Sequence, residues 1–168
     1  SYLLLLGGGI LALSRVKPWH LLNYLGSALT WALAIASLAH YRRTDFPTVT
    51  GLAAALFVLH SAVAVSRPAG PRRASSSLDI VYLAANGTAF APIGYRLVLD
   101  RAGRPWPALV TLAMAAFYVV QAFAFLRARR DDRPLLIALI ALAGLCATLT
   151  LPLALEKESL TLSWALLA

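Results

Sequence analysis

Seven carboxylates, three histidines and fifteen lysines and arginines are the groups in this 168-residue chain that could do charged chemistry. The carboxylates decide most. A proton pump or ion-coupled carrier keeps an acid deep in a span, where it is tolerated only for its function. Asp45, Asp79, Asp100, Asp131, Asp132, Glu156 and Glu158 all fall at the ends of apolar segments or between them. That placement argues against proton- or sodium-coupled transport by these residues, though further helices could supply an acid. His60, in Phe57-Val58-Leu59-His60-Ser61, lies in the second half of an apolar segment, and His20 and His40 mark the two ends of another. A metal centre needs several convergent ligands. The chain has no His-x-x-x-His, His-x-x-Glu or His-Glu-x-x-His spacing. The plain role for His60 is a neutral imidazole bonded to a neighbouring helix, and a functional role is the sharper alternative.

Uncharged polar groups inside the apolar segments are the next candidates. Asn86, Gly87, Thr88, Pro92 and Gly94 crowd one segment, which then reaches Arg96. Glycine and proline at this density can interrupt a membrane helix, and broken helices expose backbone groups that line binding cavities. A small polar site around Asn86 and Thr88 is the functional reading. A kink whose freed carbonyls are satisfied by neighbours, with Arg96 snorkelling to the interface, is the plain one. Asn86-Gly87-Thr88 also matches a glycosylation sequon, which inside a span is coincidence. Gln121 is suited to interhelical hydrogen bonding. His60, Asn86, Thr88 and Gln121 together are the candidate polar intramembrane site.

Arginine supplies a second candidate. Arg42 and Arg43 share one loop with Asp45, and Arg101 and Arg104 share another with Arg96 and Asp100. Guanidinium groups bind phosphate through paired hydrogen bonds, so these loops could hold an anionic headgroup. Ordinary solvated loop charge is the plain alternative. No phosphate-binding loop, dinucleotide fingerprint or nucleophile elbow is present. Neither a catalytic residue, a cofactor nor a metal is assigned, and the balance leans away from catalysis.

The elements that must position these residues are apolar stretches. Hydrophobic residues make up 60% of the chain and charged ones 13%, against about 25% charged in soluble domains. Mean hydropathy is +0.74. The stretches are Tyr2–Ser14, about Pro18–His40, Phe46–Ser66, Leu78–Leu99, Pro105–Leu126, Pro134–Leu155 and one starting near Leu160. At about 1.5 Å per residue, ~22 helical residues reach ~33 Å, enough to cross a ~30 Å hydrocarbon core. Pro18, Pro47, Pro105 and Pro134 lie near segment starts, where a missing N–H costs least. Ser76 precedes Asp79 by three, a capping-box-like start. Small residues four apart, such as Gly26 with Thr30, Gly51 with Ala55, Thr111 with Ala115 and Ala143 with Ala147, allow close helix approach.

The net charge of +8 and pI near 10.4 follow from loop arginines rather than from a nucleic-acid face, so no nucleic-acid partner is expected. Nine basic residues collect on one side: Arg15, Lys17, Arg67, Arg72, Arg73, Arg127, Arg129, Arg130 and Arg133. Six collect on the other: Arg42, Arg43, Arg96, Arg101, Arg104 and Lys157. The positive-inside rule puts the loops at 15–18, 67–77 and 127–133 in the cytoplasm. Trp19, Tyr41, Tyr95 and Trp106 fall where an interfacial aromatic belt would sit. A single cysteine, Cys146, allows no internal disulfide.

Leu149–Leu166 carries a resemblance. Pro152 to Leu155 reads Pro-Leu-Ala-Leu, a short polar loop follows, and Thr161 to Leu166 reads Thr-Leu-Ser-Trp-Ala-Leu. This is similar to a recurring segment of a bacterial multi-pass membrane family, domain of unknown function two-three-three-nine, with Ser163 in place of an alanine. The run Arg15 to Asn23 and the Asn86 region also resemble it. Family members often continue with Glu-Gly, where this chain has Leu167 and Ala168, so no role of that glutamate carries over. The resemblance implies a long bacterial inner-membrane protein of many helices and brings no established activity.

The expected fold is all-α, a polytopic transmembrane helical bundle with about five full spans plus two partial terminal spans. Residues 1–168 are expected to be a single transmembrane helical domain, a fragment of a longer multi-pass membrane protein. The expected partners are membrane lipid and other helices of the same parent, with a lipid-linked ligand as a further possibility. Three functions stay open. One is a non-catalytic helix-packing or scaffold module of a bacterial envelope protein. The others are part of a transporter or flippase for a lipid-like or small anionic substrate, and part of an envelope enzyme acting on lipid-linked glycan.

Overall fold

A computed structural model describes residues 20–66, 75–104, 106–127 and 132–154. Five α-helices make up most of them: α1 (His20–Ser37), α2 (Phe46–Ser66), α3 (Ser77–Ala102), α4 (Ala108–Arg127) and α5 (Arg133–Ala154). Two short 3₁₀ turns, Leu38–His40 and Arg43–Asp45, join α1 to α2. Among the described residues there is no strand. The expected partial spans at Tyr2–Ser14 and from Leu160, the loop at Glu156–Glu158, most of the Arg67–Ser77 loop and residues 155–166 of the resembling stretch lie outside the described residues.

Local chemistry sets the helix ends. Pro47 and Pro134 each occupy the second position of their helix, where the absent N–H has no helical partner to lose. At α3 the capping box forms: the Ser76 backbone N–H and hydroxyl donate to Asp79 Oδ2 at 3.1 Å, and the Asp79 N–H returns to Ser76 Oγ at 3.4 Å. Asp132 caps α5 through Oδ1, which accepts the Leu135 N–H at 3.3 Å. At the other end of α3, Gly103 adopts φ 75°. Its N–H reaches Leu99 O at 2.9 Å, a left-handed helix stop that favours a residue without Cβ.

Three helical segments are long and apolar enough to cross a bilayer: Arg43–Val65, Ala108–Arg127 and Arg133–Ala154. The chain is a helical membrane protein. Of the five full spans expected, three are found among the described residues. The apolar part of α1 among the described residues, Tyr24–His40, is shorter. With 26 residues α3 is long enough, but Asp79, Asn86, Arg96, Asp100 and Arg101 dilute its apolar character.

The glycine- and proline-rich stretch does not interrupt α3, which runs unbroken with Pro92 inside it. Pro92 withholds the N–H that would reach the Thr88 carbonyl. In a low-dielectric setting helical bonding is still the cheapest way to satisfy the remaining backbone, so isolated Gly and Pro are tolerated.

The helices divide into two compact units, one ending at Ile93 and the other beginning at Gly94. In the second unit α4 and α5 pack along their lengths. On α4 the buried positions Thr111, Met114, Ala115, Tyr118, Ala122 and Phe125 repeat with a near-heptad period, as do Leu135, Leu139, Ala143 and Cys146 on α5. Thr111 Oγ1 and Thr150 Oγ1 meet at 2.9 Å. In an antiparallel pair of that register Tyr118 lies opposite Ala143 and Leu139 opposite Ala122, large against small, as close membrane packing needs. The other faces carry Val119, Val120, Phe123, Ile137 and Ile140, all exposed and suited to lipid.

Of the small-residue pairs, Thr111 with Ala115 is buried, whereas Ala147 is exposed beside buried Ala143. Gly51 is exposed, and a Cβ built there meets nothing within 4 Å among the described residues.

Candidate functional site

The polar side chains of the first unit converge on one residue. Asn86 lies in the middle of α3 and is 2% exposed. Its Nδ2 donates to the Phe57 carbonyl and to Ser61 Oγ on α2, both at 2.9 Å. Its Oδ1 accepts the Trp31 indole N–H from α1 at 3.0 Å. Both amide protons and the carbonyl are therefore engaged, and one side chain joins three helices.

A second rung lies two turns away. The Tyr24 hydroxyl on α1 donates to Asp79 Oδ1 at 3.1 Å, while Oδ2 serves the capping box. Tyr24 and Trp31 are seven residues apart, as are Asp79 and Asn86, so α1 and α3 run parallel in matched register about 10.5 Å between rungs. Donors stand on α1 and acceptors on α3. The Asp79 carboxylate sits at the α3 N-terminus, where the helix dipole favours negative charge.

Aromatic rings pack between and beyond the rungs. Tyr24 and Tyr82 pack edge-on with centroids 5.4 Å apart, and Phe57 stacks on Phe90 at 4.7 Å. The His60 ring lies 6.3 Å from Trp31 and 6.2 Å from Tyr82. Its Nδ1 bonds Leu56 O at 2.8 Å; a carbonyl only accepts, so Nδ1 carries the proton. This corrects the expected bond to a neighbouring helix. The carbonyl one turn back on α2 is within reach and needs no partner helix to move.

Of the four candidate polar residues, His60 and Asn86 share Trp31 as a neighbour. Thr88 does not join them. Two positions along a helix from Asn86 it turns to the opposite side, is exposed, and returns its hydroxyl to Ala84 O at 2.6 Å. Gln121 belongs to the second unit, where its buried Oε1 has no hydrogen-bond partner among the described residues. Arg42 and Arg43 are exposed in the turn before α2. Arg101, in the last turn of α3, and Arg104, just beyond it, are exposed in the second unit. Among the described residues no three His, Cys, Asp or Glu side chains converge as a metal site would need.

Tyr24, Trp31, Ser61 and Tyr82 were not singled out from the sequence. The available signal was the repeated seven-residue step, Tyr24 to Trp31 and Asp79 to Asn86, with donors in one segment and acceptors in another.

The arrangement holds helices together rather than presenting open valences to a substrate. No curated protein and no solved structure matches the chain. The family described as "Predicted membrane protein (DUF2339)" matches residues 1–168, and the chain belongs to that family.

Proposed function

We propose that this chain is a non-catalytic helix-packing module of a bacterial envelope protein, lodged in the inner membrane. The observation that carries the reading is Asn86: its three hydrogen bonds run to α1 and α2, leaving neither amide proton for a ligand. Interhelical hydrogen bonds of this kind fix which helices meet in lipid, where apolar contact alone is unselective. On this reading α1 and α3 complete five full spans, with α3 turning Asp79 and Asn86 inward. The loops at 15–18, 67–77 and 127–133 face the cytoplasm, as their arginines favour. Lipid and the other helices of the parent protein are the partners.

The test is Trp31→Phe and Asn86→Ala in the full-length parent, reconstituted in proteoliposomes. Both are expected to lower thermal stability and steady-state abundance together, without changing lipid or anion movement per folded molecule. Wild-type stability combined with lost movement of a lipid or an anion would favour a transporter and sink the packing reading.

A further inference from the structure

The end of the second unit where α3 passes into α4 concentrates exposed positive charge beside exposed apolar surface. Arg96, Arg101 and Arg104 are all exposed. Asp100, among them, is half-buried and already has a partner. The Gly103 stop ends α3 between Arg101 and Arg104. Trp106 follows at 53% exposure, with its carbonyl accepting the Leu109 N–H at 3.0 Å as α4 begins. An indole in this position sits at headgroup depth. Leu109 and Leu112 then continue as exposed apolar side chains along the first turns of α4.

Guanidinium groups take phosphate oxygens through paired hydrogen bonds, which a single ammonium cannot do. That chemistry suits a free phosphate and a phospholipid alike. The exposed apolar side chains that follow the arginines, Trp106, Leu109 and Leu112 at three-residue steps, decide between them. A soluble anion has no use for Trp106, Leu109 and Leu112, whereas an acyl chain would lie along them. One leaflet, about half of a ~30 Å core, corresponds to about ten residues of α4.

We propose that the α3–α4 turn binds the phosphate headgroup of an anionic phospholipid through Arg101 and Arg104, with Arg96 adding charge and the acyl chain lying on the exposed start of α4. The site is independent of the Asn86 contacts, since every residue in it belongs to the second unit.

The experiment is native mass spectrometry of the full-length protein released from nanodiscs of equal phosphatidylglycerol and phosphatidylcholine. Phosphatidylglycerol is expected to be retained in preference. Each arginine removed from the turn should weaken that retention about fivefold, so Arg101→Gln with Arg104→Gln abolishes most of it. Arg101→Lys with Arg104→Lys keeps the charge and should lose less. Arg127→Gln with Arg133→Gln, at the far ends of α4 and α5, should leave retention unchanged. Equal retention of both lipids would overturn the proposal, as would an equal loss in the Arg127 and Arg133 variant, which would mean bulk charge. Capture of inorganic phosphate without preference between the lipids would also overturn it.

Discussion

The two units of this chain hold their helices together by different means. In the first, α1, α2 and α3 are tied by side-chain hydrogen bonds at two rungs, Tyr24 to Asp79 and Trp31 to Asn86, with Asn86 also bound to α2. In the second, α4 and α5 meet along a near-heptad seam of Leu, Ala, Tyr, Phe and Met, with Thr111 and Thr150 bonded near one end. The difference follows from what lipid does to each kind of contact. Apolar seams gain only dispersion, because lipid tails are as apolar as leucine, so they depend on shape. Polar contacts carry a penalty if left unmade, so they specify partner and register. The seam suits a two-helix hairpin whose partners are set by a short connection. The rungs suit α1 and α3, parallel helices separated by 55 residues between paired positions.

Substitutions can break or sharpen this contrast, read by denaturant titration in mixed micelles with hydrogen exchange followed separately in the two units. The largest loss is expected from Phe125→Ala, which empties a fully packed position of the seam (2% exposed) and should cost about 3–4 kcal/mol in the second unit. A loss below 1 kcal/mol there would mean that shape does not hold α4 to α5. Asn86→Leu keeps volume but strands the Trp31 N–H and the Ser61 hydroxyl, and should cost about 2 kcal/mol confined to the first unit. Faster exchange in α4 and α5 instead would break the separation of the two devices. Tyr24→Phe removes one rung and keeps the ring contact with Tyr82, for an expected loss of about 1 kcal/mol. In the seam, Thr111→Val removes the one hydroxyl pair described between α4 and α5 and should cost no more than about 0.5 kcal/mol; a loss as large as that of Asn86→Leu would erase the contrast.

Much of the architecture was legible before the structure. The all-helical membrane character, the α2, α4 and α5 spans and the Ser76–Asp79 capping box depend on local patterns, which a sequence displays directly. The helix starts marked by Pro47 and Pro134 were legible for the same reason, whereas the Asp132 cap and the Gly103 stop came from the structure. One reading failed where local propensity met its surroundings. Gly87, Pro92 and Gly94 suggested a broken helix, yet α3 continues, because without water the backbone has few other partners.

The candidate site divides along the same line. Asn86 stood out because an amide in an apolar segment must find partners. Which partners it finds depends on residues 25 to 55 positions away, and periodicity within one segment carries no information about another. Thr88 was grouped with Asn86 by proximity in sequence, although a helix turns residues two apart to opposite sides.

By itself the sequence determined that this chain belongs in a membrane, where α2, α3 and α5 begin, and which polar groups need partners, since each follows from the transfer cost of a residue and its near neighbours. Only the tertiary structure decided that Trp31 and Tyr24 answer Asn86 and Asp79, and that α4 meets α5 through one stripe. Those choices depend on the three-dimensional register of helices distant in sequence, which is fixed when all the polar bonds and packed shapes are satisfied together.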